Sequence, residues 1–216
     1  MSPAALVEER RPPGRAMVLA AGLGLRMRPL TLTTPKPLIP IAGRSMLDRA
    51  LDALAAYGIE EAVVNAHHLA DAVARHLAGR DHPAVRLCVE VERLETGGGV
   101  RNALPLLGDE PFFVINGDVL WQDGPQPSLD ALAAGWDDAK MDALLLLHPV
   151  ATALGYEGSG DFHRQSDGRL VRRRDGGTAP FLFAGLQILH PRLLAGSPEG
   201  AFSLNLLYDR AMAHGR

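Results

Sequence analysis

Cysteine is almost missing from this chain. Cys88 stands alone among 216 residues, so no internal disulfide can form and a stapled secreted scaffold is excluded. Excess positive charge is missing too: the formal net charge is −3, whereas a general nucleic-acid binder carries a basic surface. No apolar run approaches the ~18–20 residues that span a bilayer. The opening stretch, Met1 to Arg15, contains acidic residues and no apolar h-region, so it does not read as a secretory signal. A reducing cytoplasm is the expected setting, with neither nucleic acid nor membrane as partner. What the chain does hold is 47% apolar and 22% charged residues, enough to bury one α/β core.

Residues 1–15 read as a flexible N-terminal tail that ends in Pro12-Pro13-Gly14, and residues 16–216 as a single domain. Ala16 to Ala20 is a short continuous apolar run, which suits a strand covered on both faces. A Gly/Pro-rich loop follows from Ala21 to Gly43. Ser45 then caps a helix with Asp48 as the acidic partner, and Gly58 closes it. Further strands are expected at Ala62–Ala66, Val85–Val91, Phe112–Asn116, Met141–His148 and Phe181–Leu189. Helices are expected at Leu69–Leu77, Gly98–Leu107 and Ser203–Ala213, and a turn at Ser166–Arg169. Strands alternating with helices predict an α/β fold, a Rossmann-like three-layer sandwich with a mostly parallel central sheet. Ligands of such sheets bind outside the carboxyl ends of the strands.

The most informative stretch begins at the end of the first strand: LAAGLGLRMRPLT, residues 19–31, followed by Pro35-Lys36-Pro37-Leu38. Small residues at Ala20, Ala21, Gly22 and Gly24 let a flat base and a phosphate chain approach backbone N–H groups. Arg26 and Arg28 add fixed positive charge that suits phosphate. Lys36 is held between two prolines and loses less entropy on meeting a phosphate. Two commoner fingerprints fail here. The dinucleotide pattern needs a third glycine where Met27 stands, and the NTPase phosphate loop needs a Gly-Lys-Ser/Thr that is absent. A bare Gly-x-Gly is most often a turn, but two glycines, two arginines and a clamped lysine in one loop argue for a phosphate site.

Asn116-Gly117-Asp118 closes a buried strand and places a carboxylate at the same edge of the sheet. It reads as an Asn-Gly-Asp turn or as a magnesium ligand, since Mg²⁺ needs one or two carboxylates and takes phosphate oxygens and water besides. Leu94 to Gly99, with three glycines, reads as a loop that admits a planar base or as a flexible connector. His67-His68 has no partner cluster for a metal and reads as a loop or helix-start element. Arg172-Arg173-Arg174 reads as a solvated edge, Cys88 as structural, and Trp121 and Trp136 as packing residues.

The first loop with its Pro-Lys-Pro and the Asn-Gly-Asp strand end together resemble the signature of sugar-1-phosphate nucleotidyltransferases, which make a nucleotide sugar and pyrophosphate from an NTP and a sugar 1-phosphate. The nearest resemblance is to N-acetylmuramate-1-phosphate uridylyltransferases of bacterial cell-wall recycling, with mannose-1-phosphate guanylyltransferases close behind. The resemblance implies the nucleotide-diphospho-sugar transferase fold and a Mg²⁺ cofactor. It implies a nucleotide site made of Leu19, Ala20, Ala21, Gly22, Gly24, Arg26, Lys36, Glu95 and Gly98. It implies sugar contacts from Asn116, Glu157, Gly160 and Gly185. Arg26, Lys36 and Asp118 would be catalytic, with Asp118 as the metal ligand. The family's second metal-binding Asp, in a segment like Trp-x-Asp-x-Gly-Thr-Pro, has no match up to Arg216, and the domain reads as lacking the family's C-terminal end. The expected substrates are UTP with N-acetylmuramate 1-phosphate. The alternatives are GTP with mannose 1-phosphate, or a module that binds a nucleotide sugar without turnover. A monomer or a homodimer is expected.

Overall fold

The computed structural model describes residues 13–216, so the expected flexible tail falls largely on residues outside the described ones. Of its last three residues, Pro13 is buried and Arg15 forms an ion pair with Glu61. Strand β1 (Ala16–Leu19) leads into a loop of three short 3-10 turns, at Leu25–Met27, Leu30–Leu32 and Lys36–Leu38. A small hairpin, β2 (Pro40–Ile41) and β3 (Arg44–Ser45), precedes helix α1 (Met46–Tyr57). Then come β4 (Glu61–Ala66), α2 (Ala70–Leu77), β5 (Ala84–Val89), α3 (Glu95–Leu107) and β6 (Phe112–Asn116). The remainder is α4 (Ser128–Gly135), β7 (Ala143–Pro149), the hairpin β8 (Phe162–Arg164) and β9 (Leu170–Arg172), β10 (Phe181–Leu189) and α5 (Asn205–Ala213).

Among the described residues the main sheet has eight strands. Its heart is the parallel set β5-β4-β1-β6, the arrangement expected of strands that alternate with helices. β10 runs antiparallel beside β6 and also pairs with β7 and β8, and β9 pairs with β8. Alternation along the strands sorts two cores. Ala16, Val18, Val64, Phe113 and Ile115 pack with Leu47, Leu51 and Leu54 of α1 and with Leu129 and Leu132 of α4. Met17, Val63, Phe112 and Val114 pack on the other face with Val100 and Ala103 of α3 and Leu207 and Tyr208 of α5. The result is a three-layer sandwich. No helix among the described residues is long and apolar enough to cross a membrane.

The α1 boundaries follow from chemistry visible in the sequence. Ser45 Oγ accepts the Asp48 N–H at 3.0 Å, and Gly58 takes φ 105, where its N–H reaches the carbonyls of Leu54 and Ala55. Two elements differ from expectation. Helix α3 begins at Glu95, so the three glycines lie inside its first turns and are neither loop nor connector. A Cβ on Gly97 would run into the Phe202 ring, and one on Gly98 into the Gly200 carbonyl. The glycines let the chain around residues 200–202 lie directly against the helix. Helix α4 lies outside the elements the sequence predicts; it is short and buries only Leu129 and Leu132.

Candidate active site

Strand register sets the floor of the site. Leu19, last in β1, pairs on one side with Asn65 of β4 and on the other with Asn116 of β6. Beyond Leu19, the Ala20 N–H donates to Asn65 Oδ1 at 2.8 Å. The Gly117 N–H donates to the Leu19 carbonyl at 2.8 Å, and a Cβ at Gly117 would also lie 2.8 Å from that oxygen. Only glycine permits this approach of the β6 exit to the β1 exit. The Val119 N–H closes a turn on the Asn116 carbonyl at 3.2 Å, so Asn116-Gly117-Asp118 is indeed a turn, and the turn presents Asp118.

Lys36 is placed from the opposite side. Gly24 adopts φ 61, and a Cβ there would meet Thr31 Cγ2 at 2.7 Å and Lys36 Cβ at 3.1 Å. Thr31 Oγ1 donates to the Gly24 carbonyl at 2.9 Å, and His68 Nε2 holds the Thr31 carbonyl at 2.8 Å. The loop is thereby folded onto itself with Pro37 buried beneath it. Lys36 Nζ and Asp118 Oδ2 form an ion pair, with Lys36 21% and Asp118 42% exposed.

These groups line one cleft of about 390 Å³ at the carboxyl edge of the parallel strands. Of the expected residues, Leu19, Ala20, Ala21, Gly22, Lys36, Glu95, Asn116 and Asp118 face it. Thr96, in the Leu94–Gly99 stretch, also lines it, as do Asn65, Arg93 and Ser203, which lie outside every expected site. The walls carry both charges: Lys36 and Arg93 against Asp118 and Glu95, with Arg93 and Glu95 paired at 3.5 Å. Glu95 has φ 59, a left-handed conformation that is uncommon for a residue with a side chain and is found where surroundings over-determine it.

The other expected residues lie elsewhere. Gly24 supports Lys36 from beneath. Arg26 is exposed on the Leu25–Met27 turn, outside the cleft lining. Gly98 is buried, and its N–H and that of Gly97 both donate to the Phe202 carbonyl, at 3.1 and 2.8 Å. Those donors are therefore spent within the protein, and only Glu95 and Thr96 of that stretch face the cleft. Gly185 (φ 79) sits in a bulge of β10 behind Asn116; a Cβ there would lie 2.6 Å from Val119 Cγ2 and 3.3 Å from the Asn116 side chain. Gly160 is buried against the Ala179 carbonyl, and Glu157 is exposed on the loop before it; neither lines the cleft. Of the arginine run, Arg174 is exposed as a solvated edge would be, but Arg172 pairs with Asp209 at 2.5 Å and Arg173 Nε donates to the Gly160 carbonyl at 2.8 Å. Burial and nearby Glu90 push the Cys88 thiol up against a weaker opposing hydrogen bond from Asn102, which disfavours the thiolate a nucleophile needs.

The packing role of Gly98 has a measurable consequence. Gly98→Ala drives a methyl into the Gly200 carbonyl and should cost about 1–3 kcal/mol, as overpacking does. Urea unfolding without any nucleotide should show the loss; unchanged stability would contradict the packing role.

Among the described residues there is no group of three or more His, Cys, Asp or Glu that could hold a metal. Asp209, tied to Arg172, does not line the cleft. Asp118, one partly exposed carboxylate at the cleft, fits an Mg²⁺ ion that arrives with phosphate oxygens and water, not one caged by protein alone.

Residues 15–159 match the family model described as nucleotidyl transferase. The chain is 46% identical, over 94% of its length and 86% of the relative's, to the N-acetylmuramate alpha-1-phosphate uridylyltransferase of Caulobacter vibrioides. It is 35% identical to the same-named protein of Neisseria meningitidis over 87% of its length and 80% of the relative's. A mannose-1-phosphate guanyltransferase of Aspergillus oryzae is 37% identical, but over 49% of this chain and 30% of that protein. In fold, the chain is similar to a UDP-glucose pyrophosphorylase complexed with UDP-glucose (TM-score 0.78, 16% identity, 94% of this chain and 88% of that one).

Proposed function

This chain belongs to the nucleotidyl transferase family, and from that premise we propose that it transfers a uridylyl group from UTP to N-acetylmuramate 1-phosphate. The 46% identity to a uridylyltransferase of that name, sustained over 94% of the chain, carries the proposal. The cleft supplies its chemistry. An oxygen of the sugar phosphate forms a bond to the α-phosphorus of UTP, the bond from that phosphorus to the α,β-bridging oxygen breaks, and pyrophosphate leaves in line. The attacking phosphate is already anionic near neutral pH, so no general base is needed. What the protein must supply is alignment and charge neutralisation.

Ala20, Ala21 and Gly22 receive the nucleotide on backbone at the end of β1, and Glu95 and Thr96 border it from α3. Lys36 bridges the α-phosphate and the incoming sugar phosphate. Asp118 is the residue that would hold Mg²⁺, which when bound neutralises phosphate charge. To do so, Lys36 and Asp118 must release each other. Arg26 meets the departing phosphates from its exposed turn, and Asn116 faces the sugar. Substrates of this kind fit the cytoplasmic setting read from the composition.

The test is a matrix of four NTPs against the 1-phosphates of N-acetylmuramate, mannose, glucose and N-acetylglucosamine, with pyrophosphate release as the readout. UTP with N-acetylmuramate 1-phosphate should give the highest kcat/KM. A higher value for GTP with mannose 1-phosphate would replace the substrate assignment. Nucleotide-sugar binding without pyrophosphate release from any pair would make the chain a binding module.

A further inference from the structure

We propose that Glu90 is a positioning residue whose two carboxylate oxygens hold the two walls of the nucleotide cleft in register. This rests on the cleft being the nucleotide site described above. Glu90 follows β5 and is 4% exposed, and Asn65 beside it is 1% exposed. Glu90 Oε1 accepts from Asn65 Nδ2 at 2.6 Å, and Glu90 Oε2 accepts the Leu94 N–H at 3.0 Å. Asn65 Oδ1 in turn accepts the Ala20 N–H. Ala20 belongs to the first wall, and Leu94 immediately precedes Glu95 and Thr96 of the second. One chain of hydrogen bonds therefore runs from wall to wall through Asn65, which itself lines the cleft.

Polarity makes the chain directional. A carboxylate only accepts, so the Asn65 amide must turn its NH₂ toward Glu90 and its oxygen toward Ala20. No ion pair to Glu90 is formed among the described residues, and its two side-chain oxygens are satisfied by those donors. The surroundings are cut to fit: a Cβ on Gly99 would lie 2.8 Å from Asn65 Nδ2 and 2.9 Å from Glu90 Oε1. The Glu90 backbone is fixed separately, its N–H on the Ala66 carbonyl at 2.8 Å and its carbonyl to His67 Nδ1 at 3.0 Å. The side chain can thus be altered while the main chain stays anchored.

Glu90→Gln keeps the shape but introduces a donor. Either Leu94 N–H or Asn65 then faces an NH₂ group, or the Asn65 amide flips and turns its NH₂ against the Ala20 N–H. The paired exchange Asn65→Asp with Glu90→Gln restores every bond. The new carboxylate at 65 accepts from Ala20 and from the new amide at 90, whose oxygen accepts the Leu94 N–H. Total charge is unchanged.

The experiment compares wild type, Glu90→Gln and the paired exchange. It reads UTP affinity by calorimetry, KM for UTP and for N-acetylmuramate 1-phosphate, and thermal midpoint. Glu90→Gln should weaken UTP binding and raise its KM by about tenfold, the scale of one buried donor left unpaired. The KM for the sugar phosphate should stay within about twofold, which general loosening would not produce. The paired exchange should recover UTP affinity. UTP binding unchanged in a folded Glu90→Gln protein, or not recovered in a folded paired exchange, overturns the proposal. If the single variant does not fold, the paired exchange decides: folded and binding UTP supports the proposal, unfolded overturns it. Wild type that binds no UTP removes the nucleotide assignment itself, and with it this inference, a result distinct from a normal wild type with an indifferent variant.

Discussion

Asp118→Ala should lose turnover by about a thousandfold or more while the protein stays folded. A loss of that size is about 4 kcal/mol of transition-state stabilisation, on the scale expected when charge neutralisation at a transferring phosphoryl group is removed. The stability cost is small by comparison. Asp118 is 42% exposed and its ion-pair partner is Lys36. Partly exposed pairs contribute about 0–1 kcal/mol, or a few degrees in Tm for a chain of this size. The two magnitudes separate the roles cleanly. Pyrophosphate release with saturating UTP, sugar phosphate and Mg²⁺, set beside a thermal melt, checks the prediction. Full activity with Mg²⁺ present would refute the metal assignment.

Lys36→Ala should lower kcat by about a hundredfold to a thousandfold, the range for removing one preorganised donor from a developing charge. UTP affinity should change far less, because the backbone of Ala20, Ala21 and Gly22 remains in place. The loop should also keep its shape: Gly24 and Thr31 are hydrogen-bonded to each other, and His68 holds Thr31, without help from the lysine side chain. Steady-state kinetics with a separate measurement of UTP binding decides the matter. A raised KM with unchanged kcat would show that Lys36 acts on the bound ground state alone.

The sequence alone made several elements legible because local chemistry and tertiary demand coincide there. β6 and β10 are short apolar runs bounded by turn residues, and both occupy the residues expected. Ser45 and Gly58 mark the ends of α1 through bonds that lie within a few residues. Long-range demands were harder to see. Gly97, Gly98 and Gly99 have the composition of a loop, but they lie in the first turns of α3, where residues 200–202 and the Asn65–Glu90 pair leave no room for a Cβ. Asn65 looks like an ordinary strand end; its importance comes from register, which seats it beside Leu19. Arg173 reads as a surface charge until the fold brings the Gly160 carbonyl to its guanidinium. That Lys36 and Asp118 meet at one cleft was legible because both sit in motifs with strong local constraint. Gly160 and Gly185, expected as sugar contacts, lie outside that cleft and shape neighbouring backbone and side chains, a task that leaves no chemical signature in the chain.

A crystal structure with a non-hydrolysable UTP analogue and Mg²⁺ tests the central claim most directly. The triphosphate should lie across the backbone of residues 20–22, with Lys36 Nζ on the α-phosphate and Asp118 turned from Lys36 to the metal. A nucleotide lodged away from that cleft, or bound within it while Lys36 and Asp118 stay paired, would contradict the account.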